Sequence, residues 1–176
     1  KGKINENSIQ FKKLIGLRSD KCIFRYSVHS GKIQSFEGDE NRLLLSVNSS
    51  GWSDNPSMES LDPNSICGKI LLIDVNSKKY EVYSAGHRNI IGLYSDKNVI
   101  LSTEHGPYSG DEINNIKNKK SYGWPVASYG ERYSRGNSED GPFYKKSHKS
   151  NGFVEPIFSF IPAIGISEII KLPNNF

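Results

Sequence analysis

Between Gly86 and Pro125 the sequence sets residues that could do chemistry beside residues that shape tight turns. Gly86-His87-Arg88-Asn89 comes first. A guanidinium such as that of Arg88 can stabilise charge that develops in a transition state, or it can simply tie a turn to a neighbouring carboxylate. Glu104-His105-Gly106-Pro107 follows. There glycine lets a backbone approach closely and proline fixes the turn, which on its own describes a tight turn after a strand. Gly110-Asp111-Glu112-Ile113-Asn114 and Tyr122-Gly123-Trp124-Pro125 complete the stretch. Asp111 and Glu112 could cap a turn and pair with Lys119 or Lys120. Trp124 carries enough apolar area to act as a wedge between packed sheets. Outside the stretch stands His29, in Val28-His29-Ser30-Gly31-Lys32-Ile33. An imidazole titrates near working pH and suits proton abstraction. A single histidine in a β protein can equally be a surface or packing residue.

Composition narrows the classes of function. The chain has 176 residues, 35% hydrophobic and 24% charged, a globular balance with length enough for one ordinary core. Net charge is +4 and scattered. No basic stripe alternates with aromatics, so nucleic acid is not an expected partner. Lys117–Lys120 (KNKK) lies beside turn residues and reads as a solvated loop. No run approaches the ~18 apolar residues of a membrane span. The first ten residues, KGKINENSIQ, are polar, so no signal peptide is expected in them. Cys22 and Cys67 have no metal-ligand spacing and read as two thiols sooner than a disulfide. His148, in KKSHKS, reads as solvated loop.

The elements that must position these groups are strands. IFRYSV (23–28), RLLLSV (42–47), KILLIDV (69–75), YEVYSAG (80–86) and NVILSTE (98–104) are short apolar runs bounded by Gly, Asn, Asp or Ser clusters. Residues 69–86 predict a hairpin turning at Asn76–Lys79. Helical periodicity is weak, and eight prolines with sixteen glycines oppose long helices. The class is all-β: a sandwich, barrel or propeller. Two long stretches, 49–68 and 128–152, are rich in Gly, Ser, Asn and Pro and predict functional or inserted loops.

The stretch from Gly68 to Pro125, with weaker matches at 29–51 and from Pro156 onward, resembles the soluble quinoprotein sugar dehydrogenases, the glucose/sorbosone and aldose sugar dehydrogenase family. The resemblance implies a six-bladed β-propeller that holds pyrroloquinoline quinone (PQQ) through calcium. It places Arg88 and Asn89 at the quinone and makes the carbonyls of Gly106 and Pro107 ligands of the cofactor's calcium, a hard cation that prefers oxygen. It assigns Glu112 and the Tyr122 carbonyl to a second, structural calcium. It makes His29 the general base that takes the proton from a sugar's anomeric hydroxyl. Ile161 stands where the family usually has Trp, so sugar contacts are expected to differ there. Residues 128–152 match nothing in the family pattern. A glutamine near the substrate and basic partners for the PQQ carboxylates are also absent, so this chain alone is expected to hold PQQ weakly.

A blade takes roughly 40–50 residues, so the chain supplies about three and a half to four blades of a six-bladed ring. Residues 1–176 therefore read as a partial propeller domain, a fragment of a longer chain with the rest of the propeller missing. The expected activity is PQQ- and calcium-dependent oxidation of an aldose at C1 to the lactone, with electrons passing to an external acceptor, in a periplasmic or secreted protein. The alternative is a non-catalytic propeller of the same descent that binds a sugar, glycan or protein partner.

Overall fold

The computed structural model describes residues 2–5, 7–17, 31–49, 51–52, 55–133 and 143–173. Among them the only helices are two single 3-10 turns, Met58–Ser60 and Lys149–Asn151. The rest is strand and loop. Two short strands open the chain as a separate ladder: β1 (Gly2–Asn5) and β2 (Ser8–Phe11).

The first large sheet begins with β3 (Ile33–Phe36) and β4 (Asp39–Val47). A small ladder of β5 (Gly51–Trp52) and β6 (Asn55–Pro56) interrupts the path. The sheet then continues through β7 (Lys69–Asp74) and β8 (Lys79–Ala85). These four large-sheet strands run as an antiparallel meander, the connectivity of one propeller blade. The β7–β8 hairpin lies within this one sheet, as its sequence predicts. Asp74 shapes the turn by accepting the backbone N–H groups of Asn76 and Ser77.

The second sheet is built from β9 (Ile90–Ser95), β10 (Ile100–Glu104) and β11 (Asp111–Asn115). A further short strand, β12 (Lys120–Ser121), adds parallel to β8 on the first sheet. After the long loop, β13 (Phe158–Phe160) closes the second sheet against β11. The architecture is all-β, with two blade-sized, mainly antiparallel sheets packed on each other. Residues 57–68, 122–133 and 143–157 lie in connections between strands.

Phe36, Leu44, Ile70, Tyr83, Ile90, Leu93, Ile100, Ile116 and Tyr122 form one buried cluster between the sheets. Polar ties fix their register. Asn48, just past β4, accepts the Ile90 N–H at 3.2 Å and donates to the Asn89 side-chain oxygen at 2.5 Å. The Ser49 N–H donates to the Arg88 carbonyl at 2.9 Å. Lys69 is buried with its ammonium on the carbonyls of Glu59, Ser60 and Cys67. Burial lowers its pKa to about 8.

Two residues depart from the sequence reading. Cys67 is fully buried and disulfide-bonded, which corrects the expectation of a free thiol. Cys22 lies outside the described residues. His148 is also buried, at 2% exposure, and is not a solvated loop residue. Its Nδ1 donates to the Tyr122 carbonyl at 2.8 Å, and its ring stacks on Tyr129 at 5.4 Å. Hydrogen bonding and stacking at long sequence range pull it in. Lys117, Lys119 and Lys120 are exposed, as expected of that run.

Candidate functional site

The β9–β10 hairpin brings the two main motifs together. Glu104, the last residue of β10, pairs with Ile90, the first of β9. Residues 87–89 and 104–106 therefore lie side by side. Glu104 is 5% exposed and braces both motifs. Its Oε1 accepts the Arg88 backbone N–H in a very short hydrogen bond, and its Oε2 faces His87 Nδ1 at 3.2 Å. His87 Nε2 meets Ser84 Oγ at 2.8 Å, and the imidazole stacks on Tyr122 at 4.8 Å. Ser84, His87 and Glu104 have the order of a hydrolase triad. Ser84, however, is 1% exposed, so no substrate carbonyl can reach its hydroxyl. The line works as a brace for the turn that carries Arg88.

Arg88 is half-buried. Its guanidinium donates to the His105 carbonyl at 3.0 Å and lies 5.3 Å from the centre of the Trp124 ring. Burial lowers its pKa, opposed chiefly by Tyr133 and Glu104. The group stays cationic because an arginine starts so far above neutral pH. His105 Nε2 donates to the Ile166 carbonyl at 2.6 Å, which ties the site to the C-terminal segment. Asn89 is placed differently from Arg88. Its side chain is buried against Asn48, and its carbonyl accepts the His105 N–H at 3.0 Å.

The Gly106–Pro107 turn is closed tightly. A Cβ at Gly106 would lie 2.0 Å from the Ser109 carbonyl oxygen and 2.4 Å from that of Gly110, so only glycine fits. The Gly106 N–H donates to Asp111 Oδ1 at 3.2 Å. Asp111 Oδ2 accepts the N–H groups of Ile164 and Ile166. Among the described residues no backbone N–H donates to the Gly106 or Pro107 carbonyl. Two carbonyl oxygens left without such donors fit a hard cation.

Arg88, Gly106, Glu112 and Tyr122 line one small cavity with His148, roughly large enough for a single water molecule. Glu112 does not face Lys119 or Lys120. It lies 3.4 Å from His148 Nε2 and accepts from Asn114 Nδ2 at 3.3 Å. Burial, and then the neighbouring Glu104, push its pKa up to about 8. Burial lowers that of His148. Both groups are therefore neutral near pH 7. The His148 imidazole spans the gap between Glu112 and the Tyr122 carbonyl, so a cation between those two oxygens would have to displace it.

One pH prediction follows. The folded chain holds a proton on Glu112 that the unfolded chain releases near the ordinary glutamate pKa of about 4.3. Between that value and about 8, folding binds protons, so stability falls as pH rises and levels off above pH 8. Glu112→Gln cannot ionise and should flatten this slope. Urea unfolding at pH 5, 6, 7 and 8 reads it, and an unchanged slope in the variant would refute the assignment.

Sequence reasoning named Arg88, Asn89, Gly106, Pro107, Glu112 and Tyr122. Four of them meet at the cavity, Pro107 adjoins it through Gly106, and the Asn89 side chain turns to Asn48. His29 lies outside the described residues. Glu104 and His148 were missed as site residues. Glu104 had a signal: a buried-strand terminus beside a second His-containing turn.

The two blade-sized sheets define a segment of a β-propeller. The sequence matches the glucose/sorbosone dehydrogenase family model over residues 3–175, and the chain belongs to that family. It is similar to the aldose sugar dehydrogenase YliI of Escherichia coli strain K12, 41% identical over 64 residues, covering 35% of this chain and 17% of the relative. It is also similar to quinoprotein glucose dehydrogenase B of Acinetobacter calcoaceticus, 31% identical over 116 residues, covering 56% of this chain and 24% of the relative. A crystal structure of a glucose dehydrogenase superposes with TM-score 0.61 at 26% identity, over 77% of this chain and 41% of that one. The soluble E. coli aldose sugar dehydrogenase in its apo-form shares the fold, with TM-score 0.62 at 22% identity over 92% of this chain and 45% of that one. The chain thus spans about a fifth of the curated relatives' lengths and under half of these solved chains.

Proposed function

We propose that this chain is part of a quinoprotein that oxidises an aldose at C1 to the lactone. The observation that carries the reading is the meeting of the Arg88 guanidinium with the Gly106 turn, in a chain of the sugar dehydrogenase family. When bound, PQQ would supply the two-electron hydride acceptor. Arg88 would hold a fixed positive charge where negative charge grows on the acceptor. Glu104 and His87 would keep Arg88 in place through its backbone. The Gly106 and Pro107 carbonyls would hold the calcium that seats the cofactor. His29 would take the anomeric hydroxyl proton as the C1 hydrogen leaves with its electron pair. Two electrons and two hydrogens leave C1 and its hydroxyl in this way, and the already closed hemiacetal ring becomes the lactone. The electrons then pass to an external acceptor. A second calcium at Glu112 and the Tyr122 carbonyl would displace His148, so the calcium dependence proposed here is assigned to the Gly106–Pro107 turn.

A periplasmic or secreted location accords with the disulfide at Cys67, because such bonds persist in oxidising compartments. No helix among the described residues is long and apolar enough to cross a membrane.

The test is reconstitution of the full-length protein with PQQ, calcium, a panel of aldoses and a dye acceptor. Dye reduction with at least one aldose is expected, and none with any would refute the reading. Chelation adds a readout that does not need turnover. A ligand present at a hundred times its Kd stabilises by about 2.7 kcal/mol. Removing calcium should therefore lower the thermal midpoint measurably and release PQQ. An unchanged midpoint and undiminished PQQ retention after chelation would exclude a calcium-seated cofactor.

A further inference from the structure

Around Arg88 runs a connected belt of aromatic rings that the reading above does not use. Tyr108 and Tyr133 meet edge-to-face, centroids 6.0 Å apart. Tyr133 also lies beside the Arg88 guanidinium and helps to hold its pKa up against burial. On the other side of Arg88, Trp124 packs on Tyr144 at 5.3 Å, and Tyr144 meets Phe143 edge-to-face at 4.8 Å. The Arg132 guanidinium caps Phe143, 3.9 Å from its centroid. Trp124 and Tyr144 are buried and anchor the belt. Tyr108, Tyr133 and Phe143 stay 45%, 53% and 46% exposed.

Single exposed aromatics need no explanation, but exposed rings anchored on both sides of one buried Trp–Tyr pair and a guanidinium mark a binding surface. Most of this belt comes from Trp124, Arg132, Tyr133, Phe143 and Tyr144, in the connection that follows β12. We propose that the exposed rings form a pyranose-stacking platform and that Tyr133 and Phe143 are specificity-determining residues for the sugar. This rests on the sugar dehydrogenase reading of the Arg88 site.

The chemistry favours a pyranose. A sugar ring offers an apolar C–H face beside polar hydroxyls. The belt offers ring faces beside the tyrosine hydroxyls and the Arg132 guanidinium, the mixture of apolar wall and a few polar groups found in small-molecule sites. The near-perpendicular pairs, at 85° and 84°, present separate small faces. A flat tricyclic quinone would need rings lying parallel. The link from Tyr133 to Arg88 puts the platform directly beside the redox site, where C1 of a stacked sugar has to lie.

The test uses the full-length protein, without cofactor, and methyl β-D-glucopyranoside as probe. Saturating the protein's aromatic protons should transfer magnetisation to the sugar C–H protons in an NMR difference spectrum. Tyr133→Phe keeps the ring and should keep the signal. Tyr133→Leu and Phe143→Leu should each cut it severalfold, and the pair should abolish it. Loaded with PQQ, the leucine variants should raise KM for glucose by about three- to tenfold, in line with the worth of an aromatic contact. Their PQQ affinity should not change. Should a leucine variant fail to fold, Tyr108→Leu provides the same comparison at the neighbouring exposed ring. Wild-type protein without saturation transfer, or leucine variants with undiminished transfer and unchanged KM, would overturn the platform and leave the quinone reading standing. Normal transfer with no dye reduction would instead refute the quinone reading and leave the platform.

Discussion

His29→Ala in the complete, PQQ-loaded enzyme is expected to lower the chemical step by roughly 10²- to 10⁴-fold, the usual worth of a positioned general base. The hydroxyl of a hemiacetal is a weak acid, so losing hydride from C1 without removing that proton would leave charge building on the sugar. A neutral imidazole removes it. PQQ affinity should change little, because this residue is expected to meet substrate and not cofactor. The wild-type rate should fall below about pH 6–7 as the imidazole protonates and can no longer accept a proton. That descending limb should vanish in the alanine variant. Single-turnover kinetics across pH 5–9 measure both effects. A variant that keeps more than about a tenth of the wild-type rate would lie outside the expected range, and His29 would then be a packing residue.

Several strands were legible where the sequence is apolar, while IFRYSV (23–28) lies outside the described residues. RLLLSV, KILLIDV and NVILSTE became β4, β7 and β10 because alternating or fully buried branched residues have few other places to go. β11 was harder to see, since Asp-Glu-Ile-Asn-Asn looks like a loop. Its acids are buried because each finds a specific partner: Asp111 the backbone of 106, 164 and 166, and Glu112 the side chains of Asn114 and His148. Long-range partners of this kind leave no local trace. The same holds for His148, which is buried by Tyr122 and Tyr129 although its neighbours are lysines and serines. The convergence of the 87–89 and 104–106 motifs was legible in principle, since the strands between them form a hairpin. The direction of the Asn89 side chain was not, because Asn48, which claims it, sits 41 residues away.

Arg88→Ala should lower the rate by roughly 10²- to 10³-fold, the usual cost of deleting one preorganised electrostatic stabiliser. The structure makes this loss separable from folding. The tie between Arg88 and Glu104 runs through the backbone N–H, so it survives deletion of the side chain. The truncation removes one hydrogen bond to the His105 carbonyl and the contact over Trp124. Each is worth about 1 kcal/mol or less at a half-exposed position, so the thermal midpoint should move by only a few degrees. Arg88→Lys should recover part of the rate, since charge returns but the planar fork does not. Glu104→Ala should behave in the opposite way. It strands the Arg88 N–H and His87 Nδ1 in a buried site, so it should damage stability and rate together. Single-turnover rates and thermal unfolding on the three full-length variants measure the contrast. A rate loss under about fivefold in Arg88→Ala would remove the guanidinium from the chemistry. Equal loss of stability in Arg88→Ala and Glu104→Ala would mean that the side chain, and not the backbone tie, holds the turn.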